Sequence, residues 1–235
     1  ADAARRVAWR EWIRYAGSKS LPLAGAPWRV GIAWTGGTWS TGRGRRTVPF
    51  DLIAKKLIEQ HRLWAARQGR QGAQADLSGQ DFARIDFSGF DFSGANFTNC
   101  NLTAATFTGA TLVMANFHGA TLQKADLLRA NLDGAILESA DLTDADMTDA
   151  SFKPVEIKRP DGSSTGRFWP ANVSSARLTG ARLQRANLSG VNLRKSDLSC
   201  ADLGGADLTG ADLSGASLAG ANITDAKLPP NAPGV

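Results

Sequence analysis

From Ala75 to Leu228 a large apolar residue returns at every fifth position, and nothing else in the 235-residue chain restricts its fold as tightly. The run Ala201-Asp202-Leu203-Gly204-Gly205-Ala206-Asp207-Leu208-Thr209-Gly210-Ala211-Asp212-Leu213 is nearly pure, and Ala75-Asp76-Leu77, Ala95-Asn96-Phe97 and Ala140-Asp141-Leu142 carry the same code. With the large apolar residue as the centre of each unit, centres fall at 77, 82, 87 and onward to 157, then resume at Phe168 and run to Leu228, 17 units followed by 13. Repetition on this scale outranks local propensity. On an α-helix five residues turn through about 500°, so the centres would wander over every face. On a flat strand an odd period throws successive centres to opposite sides. A short extended segment followed by a turn avoids both failures. Ala75 and Leu77, two apart, then point inward and Asp76 points outward, while Ser78-Gly79 supply the turn. The chain coils as a polygon around Ala and Leu or Phe, and neighbouring coils pair through backbone hydrogen bonds.

The Ala-(Asp/Asn)-Leu-X-X code resembles the pentapeptide-repeat family over about two thirds of the chain. The resemblance implies an all-β solenoid, a right-handed quadrilateral β-helix with four units per coil. Thirty units make about seven and a half coils, a rod about 36 Å long at the spacing of stacked strands. The small inward partner is nearly always Ala, with Cys100, Val155, Val191 and Ser196 as variants, and the larger Ile85 and Phe90 imply a distorted or wider first coil. Cys100 and Cys200 are five coils apart, about 24 Å, beyond disulfide reach.

Between Ile157 and Phe168 the sequence holds eleven residues where five would do. The excess falls within Lys158, Arg159, Pro160, Asp161, Gly162, Ser163, Ser164 and Thr165, where Pro-Asp-Gly marks a turn and the flanks can pair as a hairpin. This corner loop is either a tolerated insertion or a contact element on a rigid scaffold. Some gyrase-protecting members of the family carry active corner loops, and the resemblance extends the contact reading to this one. Pro229 and Pro230 end strand pairing at the other extreme of the repeat.

Residues 1–72 form a second domain, a basic, Trp-rich α+β cap ahead of the repeat domain at 73–235. Ala3–Ala16 reads as an amphipathic helix, Trp28–Trp34 and Thr38–Thr41 as a hairpin about Thr35-Gly36-Gly37, and Asp51–Gln68 as a second helix. Six of the seven tryptophans lie here, with Arg43, Arg45 and Arg46 in a Gly/Arg loop. Tryptophans forming a small core, aromatics and cations gripping nucleic acid, and docking to a partner protein are the three readings of this segment. The chain starts at Ala1 with no signal pattern, as a processed product or a piece of a longer protein would. The cytoplasm is the favoured compartment, a secreted bacterial effector the alternative.

Gly37-Thr38-Trp39-Ser40-Thr41-Gly42-Arg43 has the glycine spacing of a phosphate loop but lacks its Lys-(Ser/Thr) ending. His61 and His118 stand alone, with no nucleophile or carboxylate placed beside them by a motif. No apolar run is long enough to span a bilayer. A coil with five-residue sides is filled by its own side chains and leaves no room for a substrate cavity. No catalysis, cofactor or metal is expected.

What remains is the exterior. Residues 1–72 carry 14 basic and 4 acidic side chains, residues 73–235 carry 13 and 18. Asp133, Glu138, Asp141, Asp144, Asp146 and Asp149 occupy about one coil; a basic stretch with Arg167, Arg177, Arg182, Arg185, Arg194 and Lys195 follows; Asp197, Asp202, Asp207 and Asp212 come next. The rod should be ringed by an acidic, a basic and a second acidic belt. Gyrase protectors of the family are thought to mimic DNA, which calls for uninterrupted acid along the axis; the basic belt departs from that. The expected function is a non-catalytic interaction module that binds another protein, alone or as part of a larger effector or adaptor. A DNA gyrase or topoisomerase binder is the second reading, and nucleic-acid binding through the basic N-terminal domain the third.

Overall fold

The computed structural model describes residues 59–61, 63–64, 72–159, 162–230 and 232, together with the backbone of 32–35, 38–41 and 47–49. The chain divides into two units, Ala1–Ala75 and Asp76–Val235.

In the second unit each five-residue side is shaped by hydrogen bonds that its own residue types dictate. The Asp or Asn before the centre accepts the backbone N–H of the residue after it, as Asp86 does from Ser88 (2.8 Å) and Asn101 from Thr103 (3.2 Å). This is an Asx turn, and it gives the outward acid or amide a structural task. The centre's carbonyl then accepts the N–H three residues on, as Leu102 does from Ala105 at 3.0 Å. The third residue of that β-turn has positive φ, as type II turns require. Glycine holds this place at Gly79 (φ 68°) and Gly109 (φ 62°), whereas Ala104 (φ 55°) and Lys195 (φ 58°) adopt it with a side chain.

The coils are joined by short parallel bridges between residues twenty apart, which fixes four sides of five. One side runs Asp76, Asn96, Asn116, Ile136, Asn172, Asn192, Asp212, and these seven rungs count seven coils. Asn side chains add rungs of their own, Asn96 to Asp76 and Asn101 to Asp81, each at 2.9 Å.

The step from Ile136 to Asn172 corrects the sequence reading. It spans 36 residues instead of 20, so the insertion is sixteen residues long and not six. It comprises a hairpin of β4 (Val155–Lys158) and β5 (Ser164–Trp169). Ile157 and Phe168 belong to this hairpin and are not coil centres; Val155 is likewise not an inward partner of the coil. Val155-Glu156-Ile157 copies the small–polar–large order of a repeat unit because a half-buried strand alternates in the same way. Seven coils, about 34 Å, replace seven and a half.

The interior is solid. Phe97, Phe107, Phe117 and the leucine centres from Leu102 to Leu142 have no solvent exposure, and the alanines between them almost none. Phe97 stacks on Phe117 one coil away, centroids 4.9 Å apart and planes 2° from parallel, and Phe107 meets both edge-on. Ser196 replaces an inward Ala and satisfies its hydroxyl by donating to the Leu193 carbonyl (2.7 Å). The distorted first coil expected from Ile85 and Phe90 is not seen in the register, since Asp86 and Asp91 bridge regularly to Thr106 and Thr111. Phe90 is instead left 39% exposed.

In the first unit β1 (Ile32–Thr35) and β2 (Thr38–Thr41) form the hairpin about Gly36-Gly37, and β3 (Thr47–Pro49), which the sequence reading did not place, pairs with β2. Helical backbone occurs at 59–61 and 63–64, within the second expected helix. The first expected helix, the Gly/Arg loop with Arg43, Arg45 and Arg46, and most of the second helix lie outside the described residues. His61 is fully buried; its Nδ1 accepts the Ala75 N–H (3.1 Å) and its ring stacks on Trp64.

Candidate interaction surface

The hairpin leaves the rod at one corner, and its base is fastened there. Gly134, a corner glycine, is overlaid by Val155 and Trp169, with Met114 from the preceding coil beside them. A Cβ built on Gly134 would meet Val155 Cγ2 at 2.9 Å, Met114 Cγ at 3.2 Å and Trp169 Cδ1 at 3.2 Å. The Trp169 indole N–H donates to the Gly134 carbonyl at 3.1 Å. Strand alternation sends Val155, Ile157 and Trp169 to the same side, and Ile157 is buried there.

The opposite side faces solvent. Phe168, paired with Glu156 across the hairpin, is 60% exposed. Lys158, Arg159, Gly162, Ser163 and Ser164 are exposed and Thr165 is half-buried; Arg167, paired with Ile157 and so on the other side from Phe168, is exposed as well; Pro160 and Asp161 lie outside the described residues. The arm is internally braced. The Arg159 guanidinium donates to the Ser164 carbonyl (2.5 Å), the Arg159 N–H to the Ser163 carbonyl (2.8 Å) and the Gly162 N–H to the Arg159 carbonyl (2.9 Å). Ser164 and Thr165 hydroxyls donate across the strands to the Glu156 carboxylate and the Ile157 carbonyl.

The charged belts occupy successive coils, and they face each other in pairs. Arg177 lies on Asp141 (3.7 Å), Arg182 on Asp146 (3.3 Å), and Arg185 grips Asp149 through Nε and Nη2 at 2.8 and 2.9 Å. On the far side Arg194 meets Asp212 at 3.2 Å. The Arg185 bond, aided by its charge, holds the Asp149 carboxyl below its ordinary pKa. Asp133 accepts from the Ser151 hydroxyl and the Lys153 N–H, and Glu138 approaches His118 at 3.9 Å. Asp144 sits at a corner beneath Gly180, Lys195 is exposed at another, and Arg167 belongs to the hairpin rather than the belt. These pairs run along the rod axis, so each belt offsets part of its neighbour's field. The sequence reading did not foresee these pairs, because pairing depends on the true length of the insertion.

The two cysteines differ in their surroundings. Cys100 is buried, donates to the Leu77 carbonyl, and burial pushes its thiol pKa up to about 11. Cys200 is an exposed free thiol at a corner. Among the described residues no three His, Cys, Asp or Glu side chains converge as a metal site, and no helix is long and apolar enough to cross a membrane.

A solenoid with four five-residue sides per coil, carrying one seated hairpin, is the class of protein these features define. The profile of pentapeptide repeats matches residues 73–109, 115–153, 171–210 and 196–229, in 8 copies. The chain belongs to the pentapeptide-repeat family, whose fold is the right-handed β-helix. No curated protein matches it. Among solved structures it is similar to a trypsin-treated variant of QnrB1, a plasmid-mediated fluoroquinolone resistance protein, with 20% identity, 66% of this chain and 80% of that chain covered, and a TM-score of 0.33. It is similar to HetL, a pentapeptide repeat protein involved in heterocyst differentiation regulation from the cyanobacterium Nostoc sp. strain PCC 7120, with 30% identity, coverages of 66% and 77%, and a TM-score of 0.23. Rfr23 from the cyanobacterium Cyanothece 51142 is similar at 22% identity, coverages of 75% and 99%, and a TM-score of 0.24.

Proposed function

We propose that this chain is a non-catalytic interaction module in which the rod mounts the Val155–Trp169 hairpin for contact with another protein. The observation that carries the reading is the division of labour between the hairpin's two sides. One side is fastened at Gly134 through Val155 and Trp169; the other holds out Phe168, Lys158 and the Arg159 turn. An insertion that was merely tolerated has no need of such a seat or of an exposed aromatic. The filled interior supports the same reading, since function is left to the exterior.

The test is recovery of partners from the native host with the intact chain and with a chain trimmed of Lys158–Thr165. A partner held by the first and lost by the second supports the proposal; equal recovery by both removes the hairpin from it. Gyrase supercoiling, assayed with micromolar protein, separates the topoisomerase reading: inhibition or protection would promote it over ours. Family membership raises that reading, and the paired belts weigh against a DNA mimic, because Arg177, Arg182 and Arg185 interrupt the acid column. Binding of nucleic acid through Arg43, Arg45 and Arg46 would show as DNA or RNA retention falling steeply with salt.

A further inference from the structure

We infer that His61 is a proton-operated clasp: the neutral ring holds the segment that leads into the repeat against the helical backbone at 59–64, and mild acid releases it. The inference is independent of the hairpin. Inside the rod an inward residue donates its N–H to the carbonyl of the preceding centre, as Ala95 does to Phe92 (2.9 Å) and Ala105 to Leu102 (3.0 Å). Ala75 opens the repeat, and no quintet precedes it. Its N–H donates instead to His61 Nδ1 at 3.1 Å. Ala75 is buried and His61 fully so, which leaves the bond away from solvent. A buried backbone N–H that loses its acceptor is costly. The next residue, Asp76, makes the first bridge of the ladder, to Asn96.

The neighbouring contacts position the ring. The Ala73 N–H donates to the Gln60 carbonyl (3.2 Å). Gly72, at φ 79°, lies so near the helical backbone that a Cβ on it would fall 2.1 Å from the Gln60 carbonyl oxygen and 2.7 Å from the Trp64 nitrogen. Trp64 stacks on the imidazole, with centroids 5.5 Å apart. Because Nδ1 accepts, the ring carries its proton on Nε2 and is neutral. A second proton has to sit on Nδ1, donor against donor with the Ala75 N–H, so the cation and the bond exclude each other. Among the described residues the other titratable groups of these two segments are Glu59 and Asp76, both exposed. Asp76 already accepts from the Ser78 N–H and the Asn96 amide. The closed form takes only the neutral ring. Its stabilisation is therefore complete above the value of a free imidazole, about 6.5, and falls by up to about tenfold per pH unit below it. The coils answer to a lower window, since Asp197, Asp207 and Asp212 titrate below the ordinary carboxyl value of 3.8. Acid thus frees the lead-in segment while the rod stays folded.

The experiment follows amide hydrogen exchange of the full chain by mass spectrometry from about pH 7.5 to about pH 5.5, each rate divided by its intrinsic value at that pH. Protection in peptides covering Gly72–Leu77 should fall about tenfold between about pH 6.5 and about pH 5.5, while the coils from Leu102 to Leu142 keep theirs. His61→Asn, which places an acceptor where Nδ1 stands and takes no proton, should hold protection flat across the range. Glu59→Gln/Asp76→Asn should respond as the parent does. The chain has two histidines, so His118→Gln leaves His61 as the one imidazole seen by NMR; its protonation should coincide with the loss of protection. That signal decides even where His61→Asn fails to fold. A ring that protonates while protection holds, protection lost while the ring stays neutral, or no change in either by about pH 5.5 overturns the inference. So does a response that survives in folded His61→Asn, or one that vanishes in Glu59→Gln/Asp76→Asn, since a carboxylate would then be the trigger.

Discussion

Gly134→Ala tests the seat of the hairpin, and Gly109→Ala is its internal control. Both glycines are corner residues with nearly the same backbone, φ 64° and 62°. An alanine at either must adopt the left-handed region, which costs about 1–2 kcal/mol; Ala104, at φ 55°, shows that the rod accommodates it. The two sites then part. Nothing lies within 4 Å of a Cβ at Gly109, whereas one at Gly134 meets Val155 at 2.9 Å and Met114 and Trp169 at 3.2 Å. Relieving that overlap costs about 1–3 kcal/mol where packing is tight. Displacing Trp169 would also loosen its bond to the Gly134 carbonyl, about 0.5–1.5 kcal/mol more. Gly134→Ala should therefore be less stable than Gly109→Ala by about 1–3 kcal/mol if the seat yields a little, or keep its stability by releasing the hairpin. Urea unfolding followed by far-UV circular dichroism measures the first outcome. Trypsin cleavage after Lys158 or Arg167, located by mass spectrometry, measures the second. If the two variants unfold alike and are cut at the parent's rate, the hairpin is not seated as described.

Acid should unfold the rod in a defined window. The Asp197, Asp207 and Asp212 carboxyls are held below the ordinary value of 3.8, chiefly by bonds from Ser199, Thr209 and Ser214. In the unfolded chain they titrate near about 3.9, so their stabilisation is complete above that value and is lost as pH falls through the folded ones. The melting temperature should fall below about pH 4, and Asp207→Asn/Asp212→Asn, which restores the residue type of Asn187 and Asn192 on the same sides, should flatten the fall. Phe97→Ala should cost about 3–5 kcal/mol in urea unfolding, because it empties a fully buried stack. With a thiol reagent at neutral pH, Cys200 should react at once and Cys100, buried and raised to about 11, only after denaturation.

Period five was enough to find the coil, since only a short segment and a turn place Ala and Leu on one side. The turn chemistry was half legible. Glycine at Gly79 and Gly109 announces positive φ, but Lys195 and Arg185 take the same conformation without announcing it. The Asx role of Asp and Asn was missed, although the Asp/Asn preference before each centre is its signal. The insertion was misjudged for a specific reason. A two-residue alternation inside β4 mimics a repeat unit, and Phe168 happens to stand where a centre could resume. No local pattern distinguishes a hairpin residue from a coil centre; only the pairing of Asn172 with Ile136 does.

That misjudgement carries a functional lesson, because register and charge are linked here. With an excess of six residues, Asp141 would lie against Arg167 and Asp146 against Asn172. With sixteen, Asp141, Asp146 and Asp149 each meet an arginine 36 residues on. Three acids matched to three bases across the insertion is what a stack selected to close over a hairpin would show, since any other offset leaves like charges or empty partners on adjacent coils. Individually such exposed pairs add little stability. Collectively they agree with the register that the backbone ladder sets and mute the rod's charge beside the hairpin. A partner approaching this stretch then meets paired charges on the rod and an exposed Phe168 on the arm, which is the contrast that the proposed hairpin contact would use.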